Sequence, residues 1–270
     1  MKLRDLFGAE DRSALEKWCR AHTQQAYVGD HRALCRVLGK FLMYVDTRDL
    51  SLAPHLLLNG YWEMWVTQAI VDYVKPGMRC IDVGANFGYY TLLLKELAGD
   101  KGSVTAYEPQ PRVAELLIDT LMINGGDDIC HPVAASDYEG MRPLFLSNRL
   151  MGSASLRFAE GLMSPDAKVF CARLDENHEH ADFVKVDAQG HELEVLRGMK
   201  GLIERSPKIA VALEFTPADH VSPLDALREI QGMGFPELRS IGTDGQVRPV
   251  TIEDAVSPDT GDHRMLWLQK

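Results

Sequence analysis

Asp187 ends the β-rich run in "ADFVKVDA", His191 follows it, and Glu214 stands after the strongly apolar run in "KIAVALEF". If both runs are strands of one sheet, these side chains stand beyond the strands' carboxyl ends, where open α/β sheets place their ligands. A carboxylate or imidazole held there can take a proton from a substrate hydroxyl. Histidine titrates near neutrality without any perturbation, although a lone His at a helix start is often only a solvated residue. Asp187 can equally cap the helix that follows, and Glu192 suits that helix's first turn through the dipole. Asp187, Glu192 and Glu214 also have the oxygen chemistry for a divalent cation, but the pattern does not require one and no metal is assigned.

A second constellation precedes these. Asp82-Val83-Gly84-Ala85-Asn86-Phe87-Gly88 joins a β-rich run, "RCIDVGA", to a helical one that begins at Tyr89. Gly84 permits a tight turn and close approach of a ligand to the backbone, and Gly88 lets helix and strand pack closely. Glu108, about twenty residues on at the end of "VTAYEP", suits the two hydroxyls of a ribose. A dinucleotide fingerprint would read G-x-G-x-x-G, and this loop does not. Acidic Asp82 beside it suits a cationic or amino-bearing group better than a pyrophosphate. S-adenosylmethionine has a ribose, a sulfonium and an amino group and fits, while a nicotinamide dinucleotide stays open because its enzymes also place an acid after the second strand.

The elements that must position these residues fall into two regimes. From Met78 onward short β-rich runs alternate with helical ones, the signature of right-handed βαβ units and a mostly parallel sheet covered on both faces. The helices expected are Tyr89–Leu97, "PRVAELLIDTLMIN", Glu192–Ile203 and Leu224–Met233, and the last strands are "ELRSIG" and "HRMLWLQ". Between "AASDYEG" and "FCARLDE" the alternation breaks into a long irregular insertion, which in an α/β domain tends to line a site. Before Met78 the chain reads as mainly helical. Ser13 and Glu16 have capping-box spacing, a short helix is expected at His31–Leu38, "KFLMYVDT" suits a strand, and "YWEMWVTQAIVDYV" is an amphipathic helix. The expected division is residues 1–75, a helical extension and lid, and 76–270, the cofactor-binding domain.

Bulk properties set the class. The 270 residues, 46% hydrophobic and 25% charged, suit one large domain or a domain with an appendage. A net charge of -10 and the lack of any basic run argue against a nucleic-acid partner. Five scattered cysteines form no CxxC and read as reduced thiols. The N-terminus reads as too charged for a signal peptide, and no apolar run approaches the length of a membrane span. A cytoplasmic protein is expected, and homo-oligomerisation is left open.

"DVGANFGYYTLLL", "YEPQPRVAELL" and "VKVDAQGHELEVLRGM" together resemble the FkbM-type methyltransferases, which use S-adenosylmethionine on a class I Rossmann-like fold. The likeness runs from about Gly60 to Glu214. It implies a seven-stranded sheet with one antiparallel strand near its C-terminal edge, and acceptors that are hydroxyls of sugars, polysaccharides or secondary-metabolite scaffolds. It implies further that Asp82, Gly84, Asn86 and Gly88 form the cofactor loop, that Glu108 holds the ribose, and that Ala135, Ser136 and Asp137 lie at the adenine. Asp137 has the plainer alternative of a surface cap. The expected activity is methyl transfer to a sugar hydroxyl, an in-line displacement governed by positioning, with Asp187, His191 and Glu214 as the catalytic set.

One residue departs from the family pattern: Gln189 stands where relatives usually carry Glu. That keeps a non-catalytic cofactor-binding module in view. A nicotinamide oxidoreductase is disfavoured, since no Tyr-x-x-x-Lys pair is placed for hydride chemistry. Tyr61, Trp62 and Glu63 are expected as a lid whose aromatic faces suit a sugar, and Asn148, Arg149 and Ser153 as further acceptor contacts.

Overall fold

The structure is a computed structural model that describes residues 3–9, 11–126, 129–147, 150, 154–156, 167–257 and 264–270. Helix α1 (Leu3–Ala9) precedes α2 (Arg12–His22), which buries Leu15 and Cys19. Asp11 caps α2 by accepting from the Ala14 amide at 2.8 Å, so the cap lies two residues before the expected Ser13. Three antiparallel strands follow, β1 (Gln25–Gly29), β2 (Arg32–Val37) and β3 (Phe41–Asp46), then α3 (Ala53–Asn59) and α4 (Met64–Tyr73). The expected helix at His31–Leu38 is therefore strand β2. Its burial alternates, with Ala33, Cys35 and Val37 inside, and pairing on both edges satisfies its backbone. The extension is accordingly mixed rather than mainly helical.

The main domain runs β4 (Arg79–Val83), α5 (Tyr89–Ala98), β5 (Ser103–Tyr107), α6 (Pro111–Ile123) and β6 (Ile129–His131). It continues through β7 (Ala134–Ala135), β8 (Gly140–Leu144), β9 (Ala167–Ala172), α7 (Leu174–Asn177) and β10 (Phe183–Val186). Helices α8 (Glu192–Gly198) and α9 (Lys200–Arg205) lead to β11 (Ala210–Phe215), α10 (Pro223–Gly232), β12 (Leu238–Ile241), β13 (Val247–Pro249), α11 (Ile252–Ala255) and β14 (Arg264–Gln269). The expected helix Glu192–Ile203 breaks at Met199 into α8 and α9.

The sheet order is β13-β12-β14-β11-β10-β4-β5-β6. Strands β11, β10, β4, β5 and β6 pair in parallel, and β14 inserts antiparallel between β11 and β12. This is the expected Rossmann-like α/β sheet, with the three-residue strand β13 added at one edge as an eighth. Helices α4 and α5 and the extension share one core on one face, with Met64, Ile70, Tyr89 and Leu92 fully or nearly fully buried. Helices α8, α9 and α10 build the core of the other face, around Val184, Leu196, Leu213 and Leu227.

The insertion is less irregular than its sequence. Met141–Leu144 belongs to β8, which pairs antiparallel with β9, while β7 lies parallel on the other side of β9. A bridge between Phe145 and Ser155 extends the pairing. No helix among the described residues is long and apolar enough to cross a membrane.

Candidate active site

The turn from β4 into α5 is set by sterics. Gly84 has φ +72°, and a Cβ there would lie 1.8 Å from the Asp187 carbonyl oxygen, so the loop presses directly on the end of β10. The Gly84 and Ala85 amides donate to the Tyr107 carbonyl at 2.9 and 3.1 Å, which ties the loop to β5. Asn86 adopts φ +50°, and its side-chain oxygen accepts from the Phe87 amide at 2.8 Å. Gly88, at φ +98°, starts α5, and a Cβ there would meet Leu117 of α6 at 2.5 Å.

Glu108 lies where expected, past the end of β5. Its two oxygens accept from the Asn86 amide at 2.9 Å and the Gln110 amide at 2.8 Å, so the loop orients the carboxylate. Burial pushes its pKa up to about 7. Asp82 lies beneath the loop, fully buried, where Oδ2 accepts from the Thr91 hydroxyl at 2.6 Å. Its Oδ1 has no partner among the described residues. Desolvation raises it to about 6, against the pull of Lys185.

A cleft of about 380 Å³ opens at the carboxyl ends of β4, β5, β10 and β11, with Asp82 and Gly88 outside its lining. Gly84, Ala85, Asn86 and Glu108 form one wall, and Ala134, Ala135, Leu144 and Leu156 an apolar one. Ser136 stands behind that wall, 3% exposed, with its Oγ 2.9 Å from His191 Nε2. Asp137 is further back, 3.4 Å from the Ser136 hydroxyl. The other ring nitrogen of His191 lies 3.7 Å from a Glu194 oxygen. His191 thus lines the cleft on the side of Ala135, held by neighbours on both ring nitrogens.

An acidic cluster lines the same cleft. Lys185, 1% exposed on β10, donates to Asp187 Oδ2 at 2.6 Å and lies 4.9 Å from the Tyr90 ring centre. The Gln189 side-chain nitrogen donates to Asp187 Oδ1 at 2.8 Å and to Glu214 Oε2 at 3.1 Å. Despite burial, the Lys185 charge and these donors hold Asp187 down at about 2, while burial and the Asp187 charge push Glu214 well above the carboxylate range. Glu214 is therefore the weaker acid of two carboxyls that titrate together. Glu63 of the extension completes the wall, accepting from the Tyr90 hydroxyl at 2.9 Å, with Ser51, Leu52 and Trp62 beside it.

Asp187 and Glu214 thus meet through Gln189, while His191 bonds to Ser136, the residue after Ala135. Glu192 turns away, its Oε1 accepting from the Ala188 and Gly190 amides at 3.2 and 2.9 Å, so it braces the loop after β10. Asn148, Arg149 and Ser153 lie outside the described residues. Sequence reasoning left Tyr90 out of the site and gave Glu63 only a place in a lid. Tyr90 sits two residues past Gly88 on α5, and that spacing was the one available signal.

The chain fits a ribose-bearing cofactor on its own geometry: a side-chain-free Gly84, an oriented Glu108 carboxylate and an apolar wall share one cleft. A family model, the methyltransferase FkbM domain, matches residues 82–237. Among solved structures, a SAM-dependent methyltransferase from Aquifex aeolicus is 15% identical over 80% of this chain and 92% of that one, with a TM-score of 0.45. Fibrillarin from Aeropyrum pernix, with natively bound S-adenosyl-L-methionine, is 13% identical over 91% and 99%, with a TM-score of 0.44. Precorrin-6y C5,15-methyltransferase from Geobacter metallireducens is 10% identical over 77% and 87%, with a TM-score of 0.43. No curated protein matches the chain.

Proposed function

The chain belongs to the FkbM methyltransferase family, with S-adenosylmethionine as its cofactor, and on that premise we propose that it methylates a hydroxyl oxygen of a sugar, in a glycan or a glycosylated natural product. When bound, S-adenosylmethionine supplies a methyl group on a sulfonium, whose C–S electron pair returns to sulfur as the acceptor oxygen bonds to carbon. Gly84, Asn86 and Glu108 would hold it, with Gly88 setting the turn, Asp82 bracing the loop from below, and Ser136 and Asp137 backing the Ala135 wall.

The observation that carries the reading is the Asp187–Glu214 pair on the cleft floor, bridged by Gln189 and charged by Lys185. O-methylation must dispose of the hydroxyl proton. A carboxylate with a raised pKa is a better match to that proton than an ordinary surface acid. In its deprotonated form Glu214 takes the proton, while Asp187, held ionised by Lys185, accepts a hydrogen bond that orients the acceptor. Trp62, a lining residue of the cleft, would supply an aromatic surface for a sugar ring. His191, fixed by Ser136 beside the Ala135 wall, is assigned to orienting that end of the cleft rather than to the proton. The five cysteines are free, four of them buried, which suits a cytoplasmic enzyme.

The test is label transfer from methyl-labelled S-adenosylmethionine to a panel of mono- and oligosaccharides, with the product bond identified by NMR. An O-methyl sugar is the expected product. Label found on carbon, on nitrogen or in RNA would overturn the acceptor assignment.

A further inference from the structure

We propose that Gln189 is a positioning residue for this proton transfer: its side-chain amide is the clamp that holds Asp187 and Glu214 side by side on the cleft floor. The inference rests on the reading that this pair receives the acceptor's proton.

The amide nitrogen carries two hydrogens and no charge. It gives one to Asp187 Oδ1 at 2.8 Å and one to Glu214 Oε2 at 3.1 Å, so it bridges carboxylates that leave two neighbouring strands. Lys185 occupies the other Asp187 oxygen, at 2.6 Å. An ammonium in place of the amide would neutralise the pair and remove its capacity for a proton, whereas an apolar side chain would leave two acids repelling one another.

The backbone supports the same conclusion. Gln189 adopts φ +48°, in the left-handed region that favours glycine, and Gly190 follows at φ +85°. The turn is braced from both sides: the Ser155 hydroxyl donates to the Gln189 carbonyl at 2.8 Å, and Glu192 accepts from the Ala188 and Gly190 amides. A turn needed only for the chain path would be served better by glycine at 189. A side chain is kept there at a conformational cost, and its amide nitrogen bonds, among the described residues, to the two carboxylates.

In the step itself the acceptor O–H bond breaks, its proton passing to the Glu214 carboxylate and its electron pair staying on the oxygen to be methylated. Gln189 keeps both its hydrogens and fixes where the receiving oxygen stands.

Gln189→Gly and Gln189→Glu test this against the unaltered protein. Four readouts are taken: melting temperature, S-adenosylhomocysteine affinity, isotope-edited infrared titration of the carboxyl groups, and the pH profile of methyl transfer. The Gly variant should melt at or above the temperature of the unaltered protein, bind S-adenosylhomocysteine unchanged, and transfer methyl about tenfold more slowly. The Glu variant adds a third acid, so the carboxyl titration and the rising limb of the rate should both move up by about one pH unit. A Gly variant that keeps rate and profile, or that loses melting temperature and activity together, would overturn the proposal. So would a Glu variant whose titration stays in place. The infrared titration needs no acceptor. Failure of the unaltered protein to methylate any sugar therefore counts against the function, while the titration still decides Gln189.

Discussion

Lys185 and Asp187, two positions apart along β10 and its following loop, meet at 2.6 Å with the ammonium sealed from solvent and the carboxylate open to the cleft. Strand periodicity puts the two on one face, and Tyr90 covers the lysine. Removing one partner leaves the other charge partly desolvated and unpaired. Lys185→Met should cost about 3 kcal/mol in urea unfolding. Lys185→Arg should not restore it, since a planar guanidinium does not fit the space of an ammonium. A loss below about 1 kcal/mol would mean the pair behaves as a surface one.

Asp187→Asn and Glu214→Gln should each slow methyl transfer by about 10²–10⁴-fold while S-adenosylhomocysteine still binds. The pH dependence has a definite sign. Burial and the Asp187 charge hold the Glu214 proton on to a pH well above the ordinary carboxylate range. The rate should therefore climb with pH past that range, and Glu214→Gln should flatten the climb. A profile already flat in the unaltered enzyme would remove Glu214 as proton acceptor.

Stability should run the other way. Burial raises Asp82 from 3.8 to about 6, and Glu108 and Glu192 each from 4.5 to about 7. An acid whose folded pKa is raised binds more protons folded than unfolded, so its contribution is complete below the unfolded value and lost as pH rises through the folded one. Cofactor-free protein should lose melting temperature as pH rises from about 4 to about 7. Asp187, held down at about 2, has the opposite sign and loses its contribution only as pH falls from 3.8 toward that value. Melts at constant ionic strength check this, and a melting temperature that rises across the upper window would contradict the burial of the three acids.

Gly84→Ala should abolish S-adenosylhomocysteine binding, because its Cβ would sit 1.8 Å from the Asp187 carbonyl oxygen. Gly99→Ala is the matched control. It has φ +61° and nothing within 4 Å of the added carbon, so only backbone strain of about 1 kcal/mol should appear in denaturation. Equal losses in the two variants would show that conformation, and not contact with β10, makes Gly84 necessary.

The parts of the fold legible in the sequence were those whose physics is local. The Gly84–Gly88 turn, helices α5, α6 and α10 and the apolar parallel strands carry their spacing in plain view. Strand β2 does not. "RALCRVL" has apolar residues at consecutive positions and good helix formers, and only pairing with β1 and β3 makes Ala33, Cys35 and Val37 the inward set. Likewise, β8 contains Pro143 and exposed Met141, so nothing within it announces a strand before β9 lies beside it. In the site, residues at strand ends could be assigned because a strand end is a sequence feature. The Tyr90–Glu63 contact joins positions 27 residues apart through packing alone.

That contact has a consequence for how acceptor choice passes between relatives. The matched family segment begins at residue 82, yet Ser51, Leu52, Trp62 and Glu63 form part of the cleft wall. One part of the cleft wall thus comes from a stretch of the chain outside the matched segment, and Tyr90 joins it to the donor loop's helix. On the proposed function, substitutions in that upstream stretch would reshape the cleft wall while leaving the donor loop intact. On that reading, acceptor choice would depend on Ser51, Leu52, Trp62 and Glu63 as well as on the matched segment.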